Sequence, residues 1–70
     1  MILNTKNYKP NEILKFMREA TNLTQKEFAE SINKSKDWQQ SNEYGRTNYY
    51  FKDLIEIANK HGFEIKIIKK

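Results

Sequence analysis

The chain has 70 residues, with 13 Lys and Arg against nine Asp and Glu, so its formal net charge is +4. This length allows one small domain, residues 1–70, which buries only about 60% of the surface that its unfolded chain exposes. The absence of cysteine excludes a disulfide framework and a thiolate metal site, and no stretch approaches the about 20 apolar residues of a membrane span. The basic charge favours an anionic partner without identifying one.

The chain opens with a short segment and then a predicted helix. Residues 1–9 are an N-terminal arm or a short strand, since Ile2 and Leu3 are an aliphatic pair followed by polar residues. The segment lacks the apolar run of about 7–15 residues of a signal peptide, so we expect a cytoplasmic protein. Pro10 suits the first turn of a helix, where its missing N–H costs nothing. Apolar residues then recur at helical spacing as far as Ala20: Ile13, Leu14, Phe16 and Met17.

Two helix-start signals follow within the stretch LTQKEFAESINKS, residues 23–35. Thr24 and Glu27 match a capping box, which predicts a second helix with Phe28, Ala29 and Ile32 facing inward. Asn33 tolerates the left-handed conformation and so ends that helix. Ser35 is a good N-cap for a third helix that runs to about Glu43, before Gly45. The stretch therefore predicts a helix, a tight turn and a second helix.

The rest of the chain predicts a fourth helix and a strand. The helix runs from Tyr50 or Phe51 to Lys60, and Gly62 caps it; its inward residues are predicted to be Phe51, Leu54, Ile55 and Ala58. In FEIKIIKK, the alternation of Phe63, Ile65 and Ile67 with Glu64, Lys66 and Ile68 predicts a strand. The fold class is thus mainly α, with a helical core at 10–62 and a C-terminal strand and basic tail at 63–70.

From Arg18 to Ile65 the chain resembles the helix-turn-helix domain of the phage repressor and Cro class, the XRE family. The matching residues are an arginine, the stretch NLTQKEFAESINKS, and then Glu43 and Gly45, followed by Asn48, Phe51, Leu54, Ile57, Ala58 and Gly62. The chain departs from the family at Lys34, Gln39 and Asn42, where aliphatic residues are usual, and Asn33 replaces the turn glycine. A strand stands in place of the family's fifth helix.

The resemblance implies a repressor-like protein of phage or mobile-element type that binds double-stranded DNA and regulates transcription. In such a protein the third helix lies in the major groove, and the matching positions are Lys36, Asp37, Trp38, Gln40 and Ser41. Lysine suits guanine, aspartate suits cytosine N4, and a glutamine amide suits adenine. Trp38 has two interpretations, contact with a thymine methyl group or filling of the core, and we favour the core because its polar neighbours leave space there.

The resemblance also implies phosphate contacts and a structural ion pair. The phosphate contacts would come from the start of the second helix, the turn and the loop after the third helix: Gln25, Lys34, Arg46, Thr47, Asn48 and Tyr49. Tyr50 is the alternative to Tyr49, and we expect at least one of these two tyrosines to pack under the fourth helix. Arg18 and Glu43 occupy positions where the family often has a buried ion pair. We also expect a homodimer on a palindromic operator, with the strand residues Phe63, Ile65 and Ile67 at the interface.

A second hypothesis is a protein-interaction module, such as an antitoxin or an accessory factor of a partner protein. An enzyme is disfavoured, because the sequence has no nucleophile–base–acid set and no glycine-rich phosphate loop. His61 is the only histidine, and its place at a helix end favours a structural role over a metal or catalytic one. We therefore expect no metal, no cofactor and no small-molecule substrate.

Overall fold

The computed structural model of the protein describes residues 6–69. Within this range the chain forms four helices: α1 (Pro10–Thr21), α2 (Gln25–Ser31), α3 (Lys36–Glu43) and α4 (Phe51–His61). The prediction of a mainly helical chain is confirmed, and the helix ends lie within two residues of the predicted ones. None of these helices is long and apolar enough to cross a membrane.

The starts of α2 and α3 are fixed by side-chain caps. The Thr24 hydroxyl accepts a hydrogen bond from the Glu27 amide at 3.1 Å, and the Glu27 carboxylate accepts one from the Thr24 amide at 3.0 Å. The Ser35 hydroxyl accepts a hydrogen bond from the Trp38 amide at 3.0 Å. Each cap satisfies amides that the first turn of a helix leaves without partners. The two predicted helix starts are therefore confirmed.

The turn between α2 and α3 depends on Asn33. Its φ of 58° lies in the left-handed region, which asparagine tolerates better than most residues. The next amide, that of Lys34, donates back to the Ala29 carbonyl oxygen at 2.8 Å. Ala29 itself is fully buried, and its small side chain allows α2 and α3 to approach closely.

The hydrophobic core is built from α1, α2 and α4. Leu14, Phe28 and Ile57, one from each helix, are fully buried, and Met17 and Ile32 complete the cluster. Burial of such a side chain stabilises the fold by about 1.5–3 kcal/mol. The core therefore joins α1, α2 and α4, and Trp38 of α3 packs against it.

The inward face of α3 is mostly polar. Gln39 and Asn42 are 0% and 2% exposed, and half-buried Trp38 packs against the core cluster. The Gln39 amide donates to Glu43 Oε2 at 2.7 Å, and the Asn42 amide donates to the Trp38 carbonyl oxygen at 2.8 Å. Within residues 6–69, Gln39 Oε1 and Asn42 Oδ1 are buried acceptors without a donor. Polar contacts thus replace part of the apolar packing that would otherwise hold α3.

The inward face of α4 differs from the prediction. Phe51 and Ile55 were predicted to face the core, but they are 58% and 42% exposed. The prediction is correct for Ala58, which is buried, and for Leu54, which packs against the core. Asp53 and Ile57 are buried without having been predicted to face inward. Asp53 faces inward because its carboxylate accepts the Tyr50 amide at 2.9 Å and so caps the helix. This cap turns Phe51 and Ile55, one helical turn apart, to the outside.

The predicted C-terminal strand is not formed within the chain as the structure describes it. Residues 63–69 form no strand, and no strand occurs anywhere in residues 6–69. A strand needs a neighbour that pairs with its backbone groups, and the described part of the chain offers none. Phe63 packs against the core, but Ile67 is 88% exposed. The alternative of a short N-terminal strand falls on residues 1–5, outside the described range.

Candidate nucleic-acid interface

The outer face of α3 carries polar side chains at helical spacing. Lys36 and Asp37 occupy the first turn and are exposed, and Gln40 and Ser41 follow one turn later and are half-buried. Positions separated by four residues lie on one face of a helix. Four of the five predicted base-contact residues therefore share a face.

The fifth predicted base-contact residue, Trp38, faces the core rather than solvent. Its ring packs against the core cluster, and the Lys34 ammonium lies 5.3 Å from the ring centroid. This distance is within the range of a cation–π contact. The interpretation of Trp38 as a core-filling residue agrees with this position.

Glu43, the last residue of α3, joins α1, α2 and α3. Arg18 donates two hydrogen bonds to its carboxylate, from Nε at 2.8 Å and from Nη2 at 3.0 Å. Gln39 donates a third at 2.7 Å and Gln25 a fourth at 3.3 Å. The side chains of Arg18 and Glu43 are only 17% and 5% exposed. Gln25, predicted to contact phosphate, is thus engaged within the protein.

Both members of this pair stay charged at neutral pH. Burial alone would raise the pKa of Glu43, but hydrogen bonds from Arg18, Gln39 and Gln25 outweigh it and lower the pKa below the ordinary value of 4.5. The hydrogen bond to Glu43 raises the pKa of Arg18. A charged, bidentate pair holds the C-terminal end of α3 in one orientation.

Lys34 lies in the turn before α3, but its ammonium is directed at α4. Lys34 Nζ is 3.4 Å from Asp53 Oδ1, and the two side chains are 30% and 3% exposed. A buried carboxylate needs such a partner, because an unpaired buried charge is strongly destabilising. The structure therefore gives Lys34, a predicted phosphate contact, a structural position.

The loop between α3 and α4 divides its polar residues between surface and interior. Arg46, Thr47 and Asn48, three of the predicted phosphate contacts, are exposed. Tyr49 is half-buried, and its hydroxyl donates to the Pro10 carbonyl oxygen at 2.7 Å. Burial raises the pKa of Tyr49. Tyr49 thus anchors the loop to α1 while the three preceding side chains face solvent.

Sequence reasoning missed two ring–cation contacts beside this loop. Tyr44 is 66% exposed, and the Arg46 guanidinium lies 5.3 Å from its ring centroid. The Lys52 ammonium lies 5.5 Å from the ring centroid of Tyr50, which is 70% exposed. The only signal in the sequence is two tyrosines, each two residues before a cation. Such a pattern is common on protein surfaces, so the sequence alone does not select it.

His61 has a structural setting. The Ser31 hydroxyl donates to the Phe28 carbonyl oxygen at 2.6 Å, so it accepts from His61 Nε2 at 2.8 Å. The His61 ring also stacks on Phe28, with centroids 4.9 Å apart. Burial and the charge of Lys60 lower the pKa of His61. Residues 6–69 contain no group of histidine, cysteine and acidic side chains that could hold a metal ion.

The chain matches no known protein family, no curated protein and no solved structure. Its function is therefore inferred from its own residues and geometry.

Proposed function

We propose that the protein is a sequence-specific transcriptional regulator that binds double-stranded DNA, a repressor of the phage or mobile-element type. In this proposal α2 and α3 form an XRE-like helix-turn-helix. The observation that carries it is the unit itself, in which Asn33 turns the chain, Ser35 caps α3 and Lys36 begins an exposed polar face. The net charge of +4 supports an anionic partner.

Base recognition is assigned to the outer face of α3. Lys36 has the chemistry to donate to guanine O6 and N7, and the amide of Gln40 can pair with adenine. Asp37 can accept from cytosine N4, and Ser41 can donate or accept. Trp38 stabilises α3 from its inner side, since its ring packs against the core. The Glu43 network fixes the far end of the same helix.

Phosphate contact is assigned to the exposed loop between α3 and α4. Arg46 supplies charge, and Thr47 and Asn48 supply hydrogen-bond donors. Gln25 and Lys34 are already bound to Glu43 and Asp53, so they contribute by holding α2 and α3 in place. Tyr49 likewise holds the loop through Pro10.

Operator binding is proposed to need a homodimer formed by the C-terminal segment. If two copies of residues 63–67 pair antiparallel about a two-fold axis at Ile65, Glu64 lies opposite the partner's Lys66. Opposite charges in such a cross-strand pair are stabilising. The same pairing places Phe63 opposite the partner's Ile67 on the other face. The charge pairing and the apolar pairing both support a second copy of this chain as the strand partner of residues 63–67.

The exposed side of α4 adds to this proposed interface. Phe51 and Ile55 line a groove of about 310 Å³ together with Phe63, Ile65 and Ile67. Four of these five side chains are at least 40% exposed. A contiguous apolar surface of this kind is typical of an interaction site.

The experiment that tests this function is selection of bound duplexes from a random pool, followed by titration of the enriched duplex at rising salt. We expect enrichment of a palindromic site with two half-sites. The logarithm of the affinity should fall linearly with the logarithm of salt concentration, by about 0.9 for each phosphate neutralised. Equal affinity for all duplexes, with no enrichment, would contradict sequence-specific binding.

The second candidate function is a protein-interaction module, such as an antitoxin or accessory factor. The apolar side of α4 favours it, because a different protein could cover Phe51 and Ile55. Replacing both residues by serine separates the candidates. In a protein-interaction module the change removes partner binding, and neither the parent nor the variant selects a duplex.

A further inference from the structure

The loop from α3 to α4 displays large aromatic rings to solvent. Tyr44 and Tyr50 are 66% and 70% exposed, and Phe51 is 58% exposed. Each tyrosine is accompanied by a cation, Arg46 at 5.3 Å and Lys52 at 5.5 Å from the ring centroid. Isolated exposed aromatic residues are ordinary, but here two ring–cation pairs bracket one short loop.

The loop that carries these rings is held by hydrogen bonds at both of its ends. The Asn11 amide donates to the Glu43 carbonyl oxygen at 3.3 Å, just before Tyr44. The Tyr49 hydroxyl is bound to Pro10 at 2.7 Å, and the Tyr50 amide donates to Asp53 at 2.9 Å. A ligand that meets an ordered loop loses less conformational entropy on binding. The two rings are thus presented on a fixed backbone.

The same stretch carries unbalanced positive charge. Residues 44–52 contain Arg46 and Lys52 but no acidic residue. The flanking carboxylates are engaged elsewhere, Glu43 with Arg18 and Asp53 with Lys34. In the described part of the chain neither Arg46 nor Lys52 forms an ion pair. Both cations therefore remain available to an anionic ligand.

We propose that this loop is a site for single-stranded nucleic acid, in which Tyr44 and Tyr50 stack on unpaired bases and Arg46 and Lys52 contact the adjoining phosphates. Stacking on aromatic side chains combined with positive charge is how proteins bind single strands without sequence preference. In the grooves of a duplex only base edges are accessible, so the base faces cannot stack on these rings. This activity goes beyond recognition of a duplex by α3 and does not depend on it.

The test is the affinity of the full chain for a fluorescent 12-nucleotide single-stranded DNA of mixed sequence, measured by anisotropy beside the matching duplex. Two double variants separate ring from hydroxyl: Tyr44→Ala with Tyr50→Ala, and Tyr44→Phe with Tyr50→Phe. We expect the alanine pair to weaken single-strand binding by roughly 5- to 150-fold per ring. The phenylalanine pair should stay within about twofold of the parent, since stacking uses the ring alone.

A charge-matched pair of variants isolates the cations. Arg46→Gln with Lys52→Gln removes two charges from the loop, and Lys15→Gln with Lys60→Gln removes two from exposed positions on α1 and α4. The loop pair should lower single-strand affinity and its salt dependence clearly more than the control pair. Circular dichroism shows whether each variant keeps the parent's helices.

Four results would overturn the proposal. They are no single-strand binding by the parent at high micromolar concentration, equal losses in the alanine and phenylalanine pairs, no loss in the alanine pair, and a loss confined to the duplex. The last result would make the loop a contact to the duplex backbone. A parent that binds no single strand but still selects a duplex contradicts only the single-strand proposal, so its failure is distinguishable from failure of the proposed function.

Discussion

The carboxylate of Glu43 collects hydrogen bonds from Arg18 on α1, Gln25 on α2 and Gln39 on α3. Its oxygens are nearly excluded from water, with a side-chain exposure of 5%. Removing one partner of a buried pair leaves the other charge without compensation, and this costs more than the pair itself contributes. The orientation of α3 therefore depends strongly on this one side chain.

We expect Glu43→Ala to lower the free energy of unfolding by about 3 kcal/mol, because it leaves the Arg18 guanidinium buried and unpaired. The double variant Arg18→Met with Glu43→Leu should recover part of this loss. Recovery is incomplete because the Gln39 amide also loses its acceptor. Urea unfolding gives the stability of the parent and of both variants, with Glu56→Ala on the exposed surface of α4 as the control. A midpoint for Glu43→Ala equal to that of the parent would show that the pair contributes nothing.

The same carboxylate makes stability dependent on pH. The pKa of Glu43 is lower in the folded protein than the ordinary value of 4.5. The unfolded chain therefore takes up the proton first, and the stabilisation is present above pH 4.5 and lost as pH falls through the folded pKa. Glu43→Gln should flatten this acidic part of the stability profile. A variant profile as steep as the parent's would assign the acid sensitivity to other groups.

A second titration lies at higher pH. The pKa of His61 is below its ordinary value of 6.5 in the folded protein, so folding favours the neutral ring. Its contribution to stability is present above pH 6.5 and is lost as pH falls through the folded pKa. Thermal unfolding from pH 8 to pH 5 should show this loss in the parent and not in His61→Gln. An unchanged slope in the variant would contradict the assignment.

At the scale of elements, helix boundaries could be predicted because local chemistry sets them. Thr24, Glu27 and Ser35 act on amides three residues away or fewer, and Asn33 and Gly62 adopt the left-handed conformations that their types favour. A sequence displays such short-range signals directly. The predicted starts of α2 and α3 are therefore correct.

The faces of α3 and α4 depend on contacts between distant residues, and the sequence shows these poorly. Phe51 and Ile55 fit an inward stripe by spacing, but the capping role of Asp53 turned them outward. The sequence predicts an outward-facing Lys34, but in the structure its ammonium lies beside the buried carboxylate of Asp53. Residue spacing therefore predicts the outer face of α3. It does not predict that Gln25 binds Glu43 or that Lys34 pairs with Asp53.

The polar inner face of α3 leads to a prediction about its stability. Gln39 Oε1 and Asn42 Oδ1 are buried without a donor, and such a group costs about 1–3 kcal/mol. We expect Asn42→Leu to stabilise the protein, because leucine removes the orphan acceptor and keeps the same branched shape with the same number of heavy atoms. The variant also loses the hydrogen bond to the Trp38 carbonyl oxygen, so the net gain should be about 1 kcal/mol.

Urea unfolding followed by Trp38 fluorescence measures this change, since Trp38 is the only tryptophan. The matched control is Asn59→Leu, at an exposed asparagine of α4, which should leave the midpoint nearly unchanged. A clear loss of stability in Asn42→Leu would mean that the buried amide is better satisfied than the hydrogen bonds of residues 6–69 indicate.

At the scale of the whole molecule, the proposed homodimer would cover the exposed C-terminal segment and the outer side of α4. Two recognition helices that read a palindrome must lie about 34–36 Å apart, and a shared pair of strands would fix that separation. Ile67→Pro tests the arrangement, because proline removes a backbone donor from the pairing. We expect a dimeric parent and a monomeric variant in sedimentation equilibrium. A parent that is monomeric at high micromolar concentration would contradict the proposed interface.

The measurement that tests the central proposal most directly is the affinity of Lys36→Ala and Gln40→Ala for the duplex selected by the parent. Each change should weaken binding to that duplex by about 1–3 kcal/mol, and should barely alter binding to a scrambled duplex. Lys15→Ala, on exposed α1 surface, controls for the loss of charge, and circular dichroism verifies the fold. Unchanged affinity for the selected duplex in both variants, with helicity intact, would show that α3 does not read the DNA.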